Sequence, residues 1–236
     1  MNDRHQAHLP ILKFIGIFSA WMLFASIPAR AADIVIDTGH TPQRPGATAS
    51  NGIGEYQYNL RMSQRISQLL ENSGYQIHRV SADGREISLT ERTAQAPEAK
   101  LFVSIHHDSM PQAWIDAGKN RELSGFSLFV SQKNSHYQQS LQCAQYIGEK
   151  LITIGEKPSL YHATPIEGEN RPLLNSRLGI HQFDDLVVLK TAPSPAVLIE
   201  IGVIVNPSEA TRLGQEAVIQ KITGAIAQGI QQCQPR

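Results

Sequence analysis

The sequence predicts a single α/β domain with a mostly parallel central sheet and helices on both faces. Along residues 32–236, short apolar segments alternate with longer segments whose apolar residues recur three and four positions apart. This alternation favours parallel strands connected by helices that pack on both faces of the sheet. No linker rich in Pro, Ser or Gly, no block of like charges and no internal repeat divides these residues. About 205 residues are sufficient for one domain with a substantial core.

The N-terminal part of this domain has a strand–helix–strand pattern. Residues 34–37 form an apolar strand that ends at a Thr-Gly pair. Residues 56–72 carry Leu and Ile close to helical spacing, and the turn residues at 72–74 predict the end of this helix. Residues 75–80 alternate between apolar and polar side chains, which is typical of a strand.

A short helix and a further strand follow. The helix is predicted at residues 89–96, because Ser88 is a suitable N-cap and Glu91 stands three positions later, as in a capping box. Residues 101–105 are an apolar run that His106 closes as the last residue in register with the strand.

The C-terminal half continues the alternation. Runs rich in Val, Ile and Leu predict strands at residues 125–130, 186–189 and 196–201. Apolar residues at helical spacing predict helices at residues 138–154 and 208–231. Together with the N-terminal elements, these complete the predicted α/β domain.

Residues 1–31 have the composition of a secretory signal peptide. Arg4 and Lys13 give a positive start, and Ala29-Arg30-Ala31 matches the small-x-small pattern of a cleavage site. The apolar stretch at residues 14–27 is short, since a helix that spans a bilayer needs about 20 residues. An uncleaved N-terminal anchor is the alternative interpretation. We expect export to the periplasm or cell wall, no membrane span after cleavage, and a catalytic domain at residues 32–236.

The charge of the chain is close to neutral. The whole sequence has 21 Lys and Arg and 21 Asp and Glu, and cleavage after residue 31 would remove three basic and one acidic residue, leaving a net charge of −2. Such a balance gives no reason to expect nucleic acid or an anionic membrane surface as a partner. We expect a monomer.

Cys143 and Cys233 are the two cysteines of the sequence. Both fall in segments that we interpret as helical, and export would place them where disulfides persist. A bridge could therefore tie the C-terminal helix to an earlier one. The sequence does not show whether the two Cα atoms come within bonding range, so a free pair stays an alternative.

Four polar residues occupy positions at which an α/β sheet gathers its ligands. His40, His106 and Glu200 stand at the C-terminal ends of predicted strands, and Glu55 opens the first helix after a Gly-rich turn. In open α/β sheets, ligands bind at the carboxyl ends of the strands. Two imidazoles and one carboxylate leave a position open on a tetrahedral Zn²⁺, and a second carboxylate can act as a base. We therefore predict a metallohydrolase with one Zn²⁺ per chain, bound by His40, Glu55 and His106, and with Glu200 as the catalytic residue.

Each of the two carboxylates also has a purely structural interpretation. The run around Glu200 is apolar on both sides, and a buried carboxylate is costly unless it is paired, binds a metal or holds a proton. A salt bridge of Glu200 with Arg177 or Lys190 is the alternative to catalysis. Glu55 stands in the first turn of a helix, where the helix dipole favours any acidic residue.

Three neighbouring residues are candidates for contacting substrate or orienting a ligand: Asp37, His107 and Asp108. Asp37 could orient a ring N–H of His40, and Gly39 would let the backbone turn tightly so that the His40 ring projects from the sheet edge. Adjacent residues of a strand point to opposite sides, so His107 should not bind the same ion as His106. The remaining histidines are expected on the surface or in ordinary hydrogen bonds: His78, His136, His162 and His181.

Four motifs make the chain similar to a known family. They are Ile-Asp-Thr-Gly-His40, Gly52-Ile-Gly-Glu55, Val-Ser-Ile-His106 and Pro-Ala-Val-Leu-Ile-Glu200-Ile-Gly-Val-Ile-Val-Asn206. In this order and approximate spacing, the chain resembles the zinc-dependent N-acetylmuramoyl-L-alanine amidases of the Amidase_3 family, from about residue 34 to residue 230. The resemblance implies zinc ligands at the first three motifs and a catalytic Glu200. His107-Asp108 and Ile201-Gly202-Val203 depart from the residues that the family has more often at these positions.

The resemblance also implies a substrate. Members of this family hydrolyse the amide between N-acetylmuramic acid and L-alanine, so peptidoglycan or muropeptides are the expected partners. Two alternatives remain: a zinc peptidase that cleaves another bond of the stem peptide, and a non-catalytic wall-binding or zinc-binding periplasmic module. In some exported members an inserted helix blocks the site until a partner moves it. Residues 110–124 are few, so we expect an open site here, and any activator protein is unknown.

Overall fold

The computed structural model describes residues 32–234, so the predicted signal peptide at residues 1–31 lies outside the described part of the chain. The strands are, in chain order, β1 (Ile34–Thr38), β2 (Ile77–Val80), β3 (Leu101–Asp108), β4 (Ser127–Val130), β5 (Leu173–Asn175), β6 (Ile180–Gln182) and β7 (Ala196–Val203). The α-helices are α1 (Glu55–Asn72), α2 (Leu89–Ala94), α3 (Gln112–Asp116), α4 (Tyr137–Thr153), α5 (Val187–Thr191), α6 (Pro207–Leu213) and α7 (Glu216–Cys233). Single 3-10 turns lie at Lys119–Arg121 and Tyr161–Ala163.

The strands form one sheet in the order β2-β1-β3-β7-β4-β6-β5. Four neighbouring pairs are parallel, whereas β4 is antiparallel to β7 and β5 is antiparallel to β6. The predicted α/β domain with a mostly parallel sheet is therefore confirmed. Among residues 32–234, no helix is both long and apolar enough to cross a membrane.

Alternate residues of the strands divide the core between the two faces of the sheet. Ile34 and Ile36 of β1 belong to the larger apolar cluster, which also contains the buried faces of α1, α4 and α7. Val35 belongs to a second cluster with Val188 and Leu189 of α5. Because side chains of a strand alternate between faces, one strand contributes to both clusters. Helices thus cover both faces, as the apolar strands require.

The segment at residues 186–189 is not a strand, contrary to the prediction. It leads into the short helix α5 (Val187–Thr191), whose buried side chains pack on the sheet. A four-residue apolar run fits a buried strand and a buried helical turn equally well, so its sequence pattern did not distinguish them. The edge of the sheet is instead completed by β5 and β6, which have three residues each and give too short a pattern to predict.

The predicted closing helix at residues 208–231 is two helices. The Asn206 side chain caps α6 by accepting hydrogen bonds from the backbone N–H groups of Ser208 and Glu209. Helix α6 ends before Gly214, whose carbonyl accepts a hydrogen bond from Arg61 of α1 (3.2 Å), and α7 then begins. The apolar spacing continues through the break, and the local signal for it is Gly214 at the C-cap, a residue type that often follows a helix end. The short helix α3 was also not predicted.

Helices α4 and α7 are joined by a disulfide. Cys143 and Cys233 form the bridge with a Cα–Cα distance of 5.1 Å across 90 residues of sequence. Closing so long a loop restricts the unfolded chain, and such bridges typically stabilise a fold by about 2–4 kcal/mol. The pairing that the sequence left open is therefore present. Gly229 of α7 lies against the backbone of Ile147 of α4, where an added Cβ would be 2.6 Å from the Ile147 Cα.

We predict that Gly229→Ala lowers the free energy of unfolding by about 1–3 kcal/mol, because the new methyl group would force the two helices apart. Gly224 of the same helix is the matched control, since an added Cβ there meets no atom within 4 Å. Gly224→Ala should stabilise the protein by up to about 1 kcal/mol through helix propensity. Urea denaturation of both variants measures the difference, and equal stabilities would contradict this account of the helix interface.

Candidate active site

The three residues predicted as ligands meet at the carboxyl ends of β1 and β3. The His40 Nε2 lies 3.0 Å from the Glu55 Oε2, and the His106 Nδ1 lies 3.1 Å from the Glu55 Oε1. One donor atom from each residue lies within 4.8 Å of those of the other two. Donor atoms bound at 2.0–2.1 Å to a tetrahedral Zn²⁺ are about 3.3 Å apart. This ligand cluster, His40–Glu55–His106, therefore has the donor types and spacing to hold a metal ion.

The Glu55 carboxylate is kept ionised by its surroundings. Burial acts to raise its pKa, but hydrogen bonds with His106 and His40 hold the pKa well below its ordinary value. Asn59, one helical turn later, donates from its Nδ2 to the Glu55 Oε1 at 3.0 Å and to the Gly39 carbonyl at 3.1 Å. Asn59 was not predicted, although a spacing of four residues on a helix places it on the same face as Glu55.

The His40 backbone is held in place by a buried arginine. His40 has a φ of +67°, so it adopts the left-handed conformation that is uncommon outside glycine. Arg92 of α2 donates to the carbonyl of His40 (2.9 Å), the carbonyl of Thr38 (2.8 Å) and the Asp37 Oδ1 (2.7 Å). The prediction gave no role to Arg92, because an Arg on a short helix usually faces solvent.

Asp37 and Gly39 act differently from the prediction. The Asp37 carboxylate bonds with Arg92 and with the Ser104 hydroxyl (2.6 Å), not with the His40 ring, so it acts on His40 only through Arg92. The turn is made by His40 itself. Gly39 is needed for a different reason, since a Cβ there would lie 2.4 Å from ring atoms of His106. Nothing in the local sequence shows that a ring from β3 packs over this position.

The side chains of His107 and Asp108 form hydrogen bonds with buried residues outside the ligand cluster. The His107 Nδ1 lies 2.8 Å from the Asn59 Oδ1, and burial lowers the pKa of His107 to about 3, so the ring is neutral. His107 therefore supports Asn59, which in turn holds Glu55. The Asp108 Oδ2 lies 2.8 Å from the Nε2 of His162, a buried histidine from which 54 residues separate it. A hydrogen-bonding role was expected for His162, but its partner was not.

Glu200 lies next to the cluster with an unsatisfied carboxylate oxygen. It is the cross-strand neighbour of His106 on β7, and both line an open cleft of about 480 Å³. Within the described residues, its buried Oε2 has no hydrogen-bond partner, and Arg177, the proposed salt-bridge partner, pairs with Glu149. Burial raises the pKa of Glu200 well above its ordinary value, and the carboxylates of Asp108 and Glu55 raise it further. The surroundings of Glu200 therefore make its carboxylate more basic than that of an exposed glutamate.

The cleft is open to solvent at the ligand cluster. The His40 side chain is 31 % exposed, and the segment at residues 110–124 holds only the five-residue helix α3 and a 3-10 turn. Met110 and Pro111 contribute to the cleft wall. This arrangement is consistent with the expected accessible site.

Comparison with known proteins identifies the family of this chain. Residues 34–232 match Amidase_3, the family described as N-acetylmuramoyl-L-alanine amidase. The chain belongs to this family. Its enzyme class is that of the N-acetylmuramoyl-L-alanine amidases, which are cell-wall hydrolases, and the predicted class is confirmed.

Individual relatives support the assignment. The amidase is 28 % identical to N-acetylmuramoyl-L-alanine amidase AmiA of Escherichia coli, over 84 % of this chain and 74 % of AmiA. It is 26 % identical to a putative N-acetylmuramoyl-L-alanine amidase of Buchnera aphidicola, over 82 % of this chain and 92 % of that one.

Solved structures show the same fold. Amidase Ami1 of Mycobacterium smegmatis has a TM-score of 0.68 at 22 % identity, over 86 % of this chain and 97 % of Ami1. The CwlD amidase of Clostridioides difficile, solved in complex with the GerS lipoprotein, has a TM-score of 0.65 at 24 % identity, over 86 % and 98 % of the two chains.

We predict that Gly39→Ala weakens the binding of a metal ion at the ligand cluster, with Zn²⁺ as the probe, by about 10–100-fold, the range found when supports of metal ligands are removed. The added methyl group would occupy the space of the His106 ring and displace this ring, which is one of the three predicted metal ligands. Titration with a competing chelator measures the affinity. Gly224→Ala, which adds the same methyl group in open space, should bind Zn²⁺ as the unmodified protein does. Equal affinities of the two variants would contradict the close packing of Gly39 and His106.

Proposed function

We propose that this amidase uses one Zn²⁺ per chain, bound by His40, Glu55 and His106, to hydrolyse the amide between N-acetylmuramic acid and L-alanine in peptidoglycan. The observation that carries the proposal is the position of Glu200. Its unpartnered carboxylate oxygen lies in the same cleft as three converging metal donors. An acid–base group beside a metal site is the arrangement that metal-assisted hydrolysis requires.

The protein residues divide the chemistry between them. When bound, zinc supplies a Lewis acid that polarises the amide carbonyl and makes water a stronger acid. Glu200 takes the proton from the attacking water and returns it to the nitrogen of the leaving L-alanine. Its raised pKa favours this, because it makes the carboxylate a stronger base than an exposed glutamate. Asn59 and the neutral His107 keep Glu55 oriented as a ligand.

The setting of the reaction is also a proposal. We propose that residues 1–31 are a signal peptide, that residues 32–236 are the catalytic domain, and that the protein acts as an exported monomer in the periplasm or cell wall. All donors of the ligand cluster come from one chain, so the site is complete without a second copy. The open cleft favours a substrate as large as peptidoglycan, and it suggests that no activator needs to move a blocking helix.

Two other functions would use the same metal ligands. A zinc peptidase acting on another bond of the stem peptide would need the same ligand cluster, and membership of the amidase family favours the amide next to the sugar. A non-catalytic wall-binding or zinc-binding module would have no use for a carboxylate left unpaired beside the metal donors. A buried polar group without a partner is costly, so it calls for a chemical reason.

We predict that Glu200→Gln lowers kcat by about 10²–10⁴-fold, the usual contribution of a positioned acid–base group. Zinc content should stay at one per chain, because Glu200 is not in the ligand cluster. Mass spectrometry of digested muropeptides measures the product. The unmodified protein should release intact stem peptides from the glycan, whereas shortened peptides would identify a peptidase. Full activity of the variant would refute the role of Glu200.

His40→Ala should lose both metal and activity, since two remaining donors hold Zn²⁺ poorly. Elemental analysis of the purified variant gives the zinc content directly. His78→Gln, a histidine on the edge strand β2, is the control and should retain both. Retention of one zinc per chain by His40→Ala would show that the metal is bound elsewhere.

A further inference from the structure

A buried histidine beside the cleft joins two acidic side chains from distant parts of the chain. His162 is 7 % exposed and lies in the 3-10 turn Tyr161–Ala163. Its Nε2 is 2.8 Å from the Asp108 Oδ2, and its Nδ1 is 2.8 Å from the Glu169 Oε2. A neutral imidazole has only one N–H, and ionised carboxylates only accept hydrogen bonds. When both carboxylates are ionised, the two contacts need a His162 ring that donates from both nitrogens.

The charges around His162 balance. Burial acts to lower its pKa, but the hydrogen bonds with Asp108 and Glu169 outweigh burial and raise the pKa to about 9. Arg171 supplies a second cation, since its guanidinium contacts the Glu169 carboxylate and donates to the Gly168 carbonyl at 3.0 Å. The nearby His181 ring is neutral, because burial lowers its pKa to about 4. Two acidic and two basic side chains thus form a closed network.

This network connects the sheet to the wall of the cleft. Asp108 is the last residue of β3, two positions after His106. Glu169 belongs to residues 164–171, here named the rim segment, which contains neither helix nor strand. Three residues of the rim segment line the same cleft as Glu200: Glu167, Gly168 and Glu169. His162 therefore links the end of β3 to an irregular surface segment, the class of structure that often carries binding contacts.

The other anchors of the rim segment lie near its two ends. Ile166 packs against the apolar cluster that contains Met110 and Tyr161. The Arg171 backbone N–H donates to the His162 carbonyl at 2.7 Å. Between them, Gly168 and Asn170 have positive φ values of 84° and 63°, so the backbone turns sharply at the cleft. The side-chain bridge from Asp108 through His162 to Glu169 fixes this turn relative to β3.

We propose that His162 is a positioning residue for substrate binding, because it holds the rim segment against the end of β3 and so sets the acidic wall of the cleft. This inference rests on the proposed function, since it takes the cleft as the site for the peptidoglycan strand next to the cleaved amide. Without the His162 cation, the Asp108 and Glu169 carboxylates would face each other without a shared donor. Their repulsion and hydration would release the rim segment.

His162→Gln tests the proposal directly. Amide hydrogen exchange in fragments covering residues 164–171 should accelerate by about tenfold or more, whereas β3 and β7 stay protected. KM for a soluble muropeptide should rise by about tenfold and kcat should change by less than about threefold, because a binding wall is lost but not the acid–base group. Zinc content should stay at one per chain. His78→Gln is the control and should change none of these quantities.

The double variant His162→Gln with Glu169→Gln separates positioning from general damage. In the double variant, the amide introduced at position 162 can donate to Asp108 while its carbonyl accepts from the amide introduced at position 169, so an uncharged bridge is restored. KM and rim exchange should return toward the values of the unmodified protein. If His162→Gln only damages the fold, the second substitution should raise KM and the exchange rate of the rim segment further. That outcome would overturn the proposal.

A further variant keeps the test decisive if His162→Gln does not fold. Glu169→Ala leaves the buried His162–Asp108 pair intact and removes the contacts of the Glu169 carboxylate with His162 and Arg171, so the same increase in exchange is expected. Unchanged rim exchange or an unchanged KM in this variant would overturn the proposal. Hydrogen exchange needs no turnover, so its result holds even if Glu200→Gln refutes the proposed reaction.

Discussion

The site depends on one ionised carboxylate that is held almost entirely inside the protein. Glu55 is 4 % exposed, and a buried charge is costly unless several donors share it. Those donors come from different elements: the backbone of Ala47, the Asn59 side chain and the backbone of His107, while the two rings of the ligand cluster lie within 3.1 Å of the carboxylate oxygens. Satisfying Glu55 therefore fixes the loop after β1, the start of α1 and the end of β3 relative to one another. The metal donors converge as a result of the same constraint.

Two carboxylates in one cleft have opposite properties because their surroundings differ. Glu55 faces two imidazoles and backbone N–H groups, which keep it ionised and suited to hold a cation. Glu200 is half-buried next to other carboxylates, and its buried Oε2 has no hydrogen-bond donor, so its pKa is raised and it is a stronger base. Environments that separate the pKa values of two like groups assign them different roles in catalysis. His162 extends this arrangement, because its ring contacts the Asp108 and Glu169 carboxylates close to Glu200.

Most strands and helices were predictable from the sequence, including the short helix α2 through its capping box, whereas α3, α5, β5 and β6 were not. The central strands β1, β3 and β7 are continuous apolar runs, as strands buried on both faces must be. The run at residues 186–189 has the same composition, yet it leads into α5, because four residues fit either structure. The break between α6 and α7 lies at Gly214 and leaves no trace in the apolar spacing.

The sequence by itself determined the fold class and the four residues that meet in the cleft, because parallel strands bring their carboxyl ends to one edge whatever surrounds them. Only the tertiary structure decided what supports those residues. Arg92 holds the His40 backbone, Gly39 makes room for a ring from another strand, and His162 bridges acids from β3 and the rim segment. Each of these contacts joins residues distant in sequence. Local periodicity carries no information about such partners, since they are selected by the need to satisfy buried polar groups after the chain has folded.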